Sequence, residues 1–374
     1  MSGPLRVLLA TPDFPPARGG IQALLHGLAR NLADVELTVV APAHSEARGF
    51  DARQDCRVIR VPRAPVHRAT IAALNLAALR TGRAYRPDVV ISGHIVTSPA
   101  VRAIGRPWVQ FLYAKEIGAR HGLARRAIEV ADATIAISEH TRRLAARLGV
   151  PAARLHVVPP GVELPAYPVR SPVGAPRSLI LTIARLEDRY KGTDTLIRAL
   201  PLLRARVPDA ELAVVGDGQL RPWLERLAHA NRVQDHVHFA GDVSDDDRDA
   251  WFDRSAVFAM PSRLPAGEQG GEGFGIVYLE ASARGVPVVA GNVGGAVDAV
   301  HDGVTGLLVE PQDHVAVADT LALLLTDRAL RRRMSDAGPG WARGFAWERV
   351  AGRVREILAA AAEHRVRPAP ELDG

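Results

Sequence analysis

The chain has 374 residues, 47% of them hydrophobic and 24% charged, with a formal net charge of +6; that length exceeds one compact core and argues for two domains, and the balance excludes a disordered or collagen-like chain. No apolar run reaches the 18 or so residues of a bilayer span, and the start has no basic leader with a cleavage site. Cys56 is the only cysteine, which excludes an internal disulfide and a cysteine-rich zinc site, so the expected compartment is cytoplasmic.

The opening LRVLLATPDFPP reads as a short buried strand and a turn, and GGIQALLHGLARNLA takes up helical spacing right after Gly19 and Gly20. Strands VELTVVAP and CRVIRVP, helical IAALNLAALR, strands DVVISG and WVQFLYA, helical LARRAIEVA, strand ATIAIS, helical HTRRLAARLG and strand LHVVPPGV follow. Between Pro159 and Pro176 the periodicity stops and prolines accumulate, which marks a linker. A second series then runs through RSLILTIARL, helical TDTLIRALPLLRAR, ELAVVGDG, helical LRPWLERLAHA, VHFAG, helical DDDRDAWFDRS, AVFAMPS, helical GIVYLEASARG, VPVVAGN and GLLVE. It ends in helical VAVADTLALLLTDRALRRRMSD and WARGFAWERVAGRVREILAAAAEHR, with an unstructured tail at Pro368 and Pro370.

Alternation of this kind means parallel sheets covered on both faces, so the expected fold class is α/β, with two doubly wound domains facing each other across a cleft. The expected divisions are a first domain over 1–165, a second over 176–345, and a final helix over 346–364.

Charge is uneven along the chain: residues 1–170 hold 23 Lys and Arg against 12 Asp and Glu, and the remainder 24 against 29. Of the 47 cations 45 are arginine, so Lys115 and Lys191 stand out as places that suit a compact ammonium.

The strongest local pattern is EGFGIVYLE. Glu272 and Glu280 flank a helix start near Gly275, where glycines and helix amides form an anion site. A carboxylate at Glu280 can accept from a ribose diol, and Glu272 from sugar hydroxyls. Upstream, ARLEDRYKG puts Arg185 and Lys191 at a strand's carboxyl end, where a fork and a point charge suit a diphosphate. The bland alternative makes each acid a solvated surface charge.

Taken together, PPARGG, ARL...KG, VVGDG, FAGDV, AMPS, EGFGIVYLEA, GVPVVAG and TGLLV resemble the family 4 glycosyltransferases, retaining enzymes of the two-domain B-type fold. The likeness covers about residues 5–360, and PPARGGIQ and EGFGIVYLEA...VPVVAG are nearest the branch with the bacterial phosphatidylinositol mannoside mannosyltransferases. The resemblance implies a nucleotide diphosphate sugar donor, GDP-mannose or a UDP-sugar, bound by the C-terminal domain over 176–345, an acceptor bound by the N-terminal domain over 1–165, a final helix that crosses back to the first domain, and no cofactor; no metal is expected, because the cations it would supply are already protein side chains. It implies that Arg185 and Lys191 grip the diphosphate, that Gly273, Phe274, Gly275, Ile276 and Val277 support it, and that Gly19 and Gly20 approach from the other domain. Glu280 would hold the ribose, Glu272 the transferred sugar, and Gly216, Asp242 and Val243 would line the donor site. One stretch departs: where many members read HGHE, this chain reads YAKE, so Tyr113 and Lys115 replace histidines beside a retained Glu116, and His94 in SGHIV is a possible stand-in on the acceptor side.

Other signals lead elsewhere. Ser244 followed by Asp245, Asp246 and Asp247 reads as a helix cap rather than a metal motif. GNVGGAVDAV has paired glycines but sits late, and Arg331 to Arg333 read as an exposed helical face rather than a nucleic-acid site. Three functions compete: a retaining hexosyltransferase on a lipid-linked or anionic acceptor, a soluble natural-product tailoring enzyme, and a non-catalytic nucleotide-sugar binder. Arg57, Arg60, Arg63, Arg68, Arg80, Arg83 and Arg86 flank an apolar helical stretch over 71–79, which suits peripheral attachment to an anionic inner membrane face as well as an ordinary helix with a basic rim.

Overall fold

A computed structural model describes residues 3–165, 178–265 and 271–364. Most of the proposed linker and the proline-containing tail lie outside the described residues. The chain divides into two compact units, one made of 1–161 with 347–374 and the other of 162–346.

In the first unit β1 (Leu5–Ala10) leads into α1 (Gly20–Asn31), followed by β2 (Val35–Pro42), α2 (Ala47–Asp51), β3 (Arg57–Val61), α3 (His67–Tyr85), β4 (Val89–Ser92) and α4 (Ser98–Ile104). Then come β5 (Trp108–Leu112), α5 (Ala114–Ala119), α6 (His121–Val130), β6 (Ala133–Ala136), α7 (Glu139–Arg147) and β7 (Leu155–Val157). The seven strands are ordered β3-β2-β1-β4-β5-β6-β7 and their pairs are parallel. Central strands such as β4 and β5 are buried along their whole length, as expected of a sheet covered on both faces.

The second unit repeats the scheme with β8 (Leu179–Ile183), α8 (Thr193–Arg204), β9 (Glu211–Val215), α9 (Arg221–Ala230), β10 (Val237–Gly241) and α10 (Asp245–Arg254). It continues with β11 (Val257–Met260), α11 (Ile276–Ala283), β12 (Val288–Gly291), α12 (Ala296–Ala299), β13 (Gly306–Val309), α13 (His314–Thr326) and α14 (Arg328–Ala342). Its sheet runs β10-β9-β8-β11-β12-β13, again parallel. The α/β class with two doubly wound sheets is therefore as expected from the alternation.

Two helical boundaries differ from expectation. The single helix expected from VAVAD through RMSD is two, because Asp327 leaves helical geometry and its side chain caps α14 by accepting from the Leu330 amide at 2.9 Å. Arg331 correspondingly turns in to cap α13, donating to the carbonyls of Leu324 and Leu325 at 2.8 Å each, so it does not share an exposed face with Arg332 and Arg333. The helix expected over WARGF breaks at residues 343–345, and α15 (Trp347–His364) starts afresh. α15 packs against α1, β4 and β5 of the first unit.

Candidate active site

Chemistry in the second unit gathers at the carboxyl ends of β8 and β11 and at the start of α11. Arg185 follows β8 as an exposed side chain. Residues 189–191 form one short turn before Gly192, and the Lys191 ammonium donates to Glu272 Oε2 at 2.6 Å. The two side chains are 21% and 11% exposed. Burial works against the Lys191 charge, yet Glu272 and then Tyr190 outweigh it and lift the ammonium above its ordinary value, with Arg185 acting in the opposite sense.

α11 begins at Gly275, whose φ of +87° lies in the left-handed region and where a Cβ would stand 2.3 Å from the Tyr278 ring, so only glycine fits. The first turn of α11 has no acid and no side-chain cap, which leaves its start electropositive at Ile276 and Val277. Glu280 sits one turn further and pairs with Arg248 of α10, while the neighbouring Arg284 pairs with Asp249. Burial pushes the Glu280 carboxyl up, and Arg248 followed by Arg284 opposes that rise.

The loop bearing Glu272 is braced from two directions. Gly295 N–H donates to the Glu272 carbonyl at 2.9 Å, and a Cβ on Gly295 would approach the Gly273 oxygen to 2.0 Å. On the other side Arg263 forks onto Asp194 with two 3.0 Å hydrogen bonds and reaches Thr195 at 3.1 Å. Sequence reasoning missed this brace, for nothing in the spacing of Asp194 and Arg263 announces it. It also missed Arg248 as the partner of Glu280. The paired glycines 294 and 295 were visible, and their work is to let two backbones touch.

Gly216 closes β9 with an N–H···O bond of 2.8 Å to Gly241; beyond β10, Asp242 is exposed and Val243 half-buried. The Phe274 ring is 1% exposed and lies tilted with its centroid 5.8 Å from that of Phe345, so a ligand at this position would meet its backbone. Ser244 caps α10 by accepting from the Asp247 amide at 3.1 Å. Among the described residues no group of three or more His, Cys, Asp or Glu is placed to hold a metal ion.

In the first unit Gly19 is the extended residue before α1 and Gly20 its first. The preceding loop is tied by Gln22 Nε2 to Asp13 Oδ1 at 2.9 Å and by Arg60 to the Pro15 carbonyl at 2.5 Å. Arg60 also forks onto Asp51 at 2.7 and 3.1 Å, so this arginine is turned inward and leaves the basic rim expected of it. Lys115 is an exposed residue in the first turn of α5. Tyr113, expected on the acceptor side, is 4% exposed, with burial driving its phenol well above the ordinary value. The Glu116 carboxylate is buried among donors: it takes the amides of Ile95 at 3.1 Å and Tyr113 at 3.3 Å and stands 2.6 Å from His94 Nδ1. The Val96 amide also lies 3.2 Å from that nitrogen, which cannot both donate and accept; the shorter contact with a buried carboxylate decides for Nδ1–H as donor. His94 and Glu116 thus meet, as a brace across the ends of β4 and β5.

The family described as Glycosyl transferases group 1 matches residues 169–341, and the Glycosyl transferase 4-like domain matches residues 19–161. A GDP-mannose-dependent alpha-(1-6)-phosphatidylinositol monomannoside mannosyltransferase of Mycolicibacterium smegmatis is 37% identical, over 96% of this chain and 100% of the relative. Its counterpart from Mycobacterium tuberculosis is 35% identical, over 94% and 98%. The chain belongs to this glycosyltransferase family. Among solved structures, Anabaena HepE in complex with UDP and glucose superposes with a TM-score of 0.78 at 21% identity, covering 95% of this chain and 99% of that one. Sucrose-phosphate synthase from Thermosynechococcus elongatus gives 0.78 at 23%, covering 96% and 100%. The glycosyltransferase therefore has the two-domain B-type fold, and transfer of a hexose from a nucleotide sugar goes with its membership.

Proposed function

We propose that this glycosyltransferase is a retaining, metal-independent hexosyltransferase that takes mannose from GDP-mannose and delivers it to a hydroxyl of a lipid-linked, anionic acceptor. The observation that carries the reading is the joint placing of Lys191, Glu272 and the start of α11, with Glu280 one turn on. Arg185, Lys191 and the amides at Ile276 and Val277 would receive the charge that grows on the departing diphosphate, fixed before the reaction begins. Glu272 would hold the transferred sugar and Glu280 the ribose. The departing diphosphate oxygen takes the acceptor proton on the same face, so no protein base is required. The two curated relatives favour GDP-mannose over a UDP-sugar, although UDP complexes occur among structures of the same fold.

Among the described residues no helix is long and apolar enough to cross a membrane. Attachment to an anionic membrane surface would rest on α3, which buries Thr70, Leu74, Ala78 and Gly82 and leaves Arg80 and Arg83 exposed. The test is incubation with radiolabelled GDP-mannose and, separately, UDP-glucose, in the presence of phosphatidylinositol mannoside. An α-linked mannolipid formed only from GDP-mannose supports the reading. A β-linked product overturns retention, and transfer from UDP-glucose alone overturns the donor.

A further inference from the structure

We propose that Arg263 is a positioning residue for Lys191: it fixes the turn that carries Lys191 against the loop that carries Glu272. Its effect on turnover rests on the reading of Lys191 as a diphosphate ligand. Arg263 follows β11 by three residues and reaches both sides of that pair. Toward Lys191, its backbone N–H donates to the Tyr190 carbonyl at 2.8 Å and its guanidinium bonds Asp194 in the first turn of α8. Toward Glu272, its carbonyl oxygen lies close to Gly271, where a Cβ would stand 3.3 Å from it.

Neutralising Asp194 does not by itself call for Arg263. Asp194 is buried and needs a partner, but Arg198, one turn along α8, already donates to its Oδ2 at 2.8 Å. What Arg263 adds is a tie that a neighbour on the same helix cannot make, between the start of α8 and the exit of β11. The tie is bidentate, 3.0 Å at each carboxylate oxygen, so it sets direction as well as distance, and Thr195 accepts a further bond at 3.1 Å.

The turn itself is closed at both ends. Gly192 ends it with φ +79°, and a Cβ there would stand 2.1 Å from the carbonyl oxygen of Pro261, two residues before Arg263. At the other end the Arg189 guanidinium lies over the Trp223 ring of α9, 4.3 Å from its centroid. Arg263 holds the middle, at Tyr190. The Lys191 ammonium lies 5.1 Å from the centroid of the Tyr190 ring, so a shift of this stretch carries the ammonium with it. A displacement of about 1 Å, caused by a change far from the chemistry, can cost on the order of 10²-fold in rate.

The experiment uses the full chain and its two lysines. Trace acetic anhydride labels them, and mass spectrometry reads Lys191 against Lys115 as internal reference. Mannose transfer from GDP-mannose, GDP binding and urea unfolding are measured on the same proteins. Arg263→Met is expected to label Lys191 about tenfold faster, the scale of releasing one charge-assisted hydrogen bond, and to lower turnover by about 10 to 10²-fold. Arg263→Lys keeps one such bond and is expected to recover part of both. Arg198→Met takes the other arginine from Asp194 but leaves the exit of β11 alone, and is expected to stay within about twofold of wild type, the scale of an i,i+4 pair. In a Lys191→Ala background, Arg263→Met should lower turnover little further, because the two changes act through one group. Labelling of Lys191 that is unchanged in Arg263→Met, or raised equally in Arg198→Met, would overturn the positioning role. If urea unfolding shows that Arg263→Met does not fold, Arg263→Lys decides by the same labelling. Faster labelling with unchanged turnover, or with no GDP bound by wild type, keeps the hold of Arg263 on Lys191 and removes the diphosphate reading instead.

Discussion

The ammonium of Lys191 lies 2.6 Å from a carboxylate oxygen of Glu272, across 81 residues of sequence. Without donor the pair satisfies two charges that would otherwise be costly to hold in a partly buried site. With donor, a phosphate would compete with Glu272 for the ammonium and release the carboxylate for sugar hydroxyls. Lys191→Ala and Arg185→Ala are each expected to lower turnover by roughly 10² to 10³, the scale of losing one preorganised donor of positive charge. Steady-state rates with saturating donor decide it: both variants within threefold of wild type would sink the diphosphate assignment.

The pairing of Glu280 with Arg248 leads to a pH dependence. Burial raises the Glu280 carboxyl above the usual value near 4.3, and Arg248 holds that rise in check. A carboxyl raised in the folded state contributes stability below its unfolded value, and this is lost as pH rises through the folded one. Donor binding would run the other way, because a ribose diol held by Glu280 would need an ionised acceptor. Affinity for GDP is thus expected to fall on acidification with a midpoint above about 4.3, to lose that step in Glu280→Gln, and to shift its midpoint toward neutrality in Arg248→Met. Titration calorimetry across pH 4 to 8 measures all three. Identical profiles for wild type and Glu280→Gln would rule the assignment out. The same Gln variant is expected to raise the Michaelis constant for donor more than it lowers turnover, since a ribose contact changes little between ground and transition states.

Metal independence is expected from where the charges already are. Arg185, Lys191 and the start of α11 would supply the positive field that a divalent ion otherwise provides, and the acidic run 245–247 forms the first turn of α10 behind its Ser244 cap. Transfer is expected to survive excess EDTA within about twofold of the untreated rate, well short of the 10²-fold scale of losing an electrostatic group. Complete loss restored by magnesium or manganese would show the opposite.

Much of the fold was legible because a sheet covered on both faces writes its strands as apolar runs and its helices as periodic ones. β4, β5, β8 and β11 stand where VVIS, WVQFL, LILTI and VFAM announced them. What stayed hidden was direction. Arg60 belongs to a basic segment by composition, yet Asp51 lies within reach across the fold and draws it in. The helical period runs unbroken through Asp327, where capping competes with continuation and wins. In the site, EGFGIVYLE and ARLEDRYKG carried their own geometry, whereas the Arg263–Asp194 and Arg248–Glu280 pairs join segments with no shared local pattern.

Membrane attachment is tested on the outward face of α3. Arg80 and Arg83 on the helix and Arg86 just beyond it are exposed, as is Leu76 at 48%. The triple change of Arg80, Arg83 and Arg86 to glutamate is expected to abolish co-sedimentation with acidic vesicles at low salt. Wild-type sedimentation should itself fade as salt shortens the Debye length from about 30 Å at 0.01 M to about 10 Å at 0.1 M. A wild type that fails to sediment at low salt would favour the soluble tailoring enzyme.

Trp347 opens α15 and lies 6% exposed in the first unit, against two glycines far apart in sequence. A Cβ on Gly27 would stand 2.0 Å from the indole, and one on Gly161 would stand 2.3 Å from it, so both positions are empty because the ring fills them. Trp347→Ala removes the ring and leaves a cavity, with an expected cost of about 3 to 5 kcal/mol. Gly27→Ala has the opposite defect, overpacking, at about 1 to 3 kcal/mol. The two share one contact, so their effects should not add: with the ring gone, Gly27→Ala fills part of the cavity and costs less than it does alone. Thermal or urea unfolding of the two single variants and the double variant measures the coupling. Strict additivity would mean that α15 is not held to the first unit through this indole.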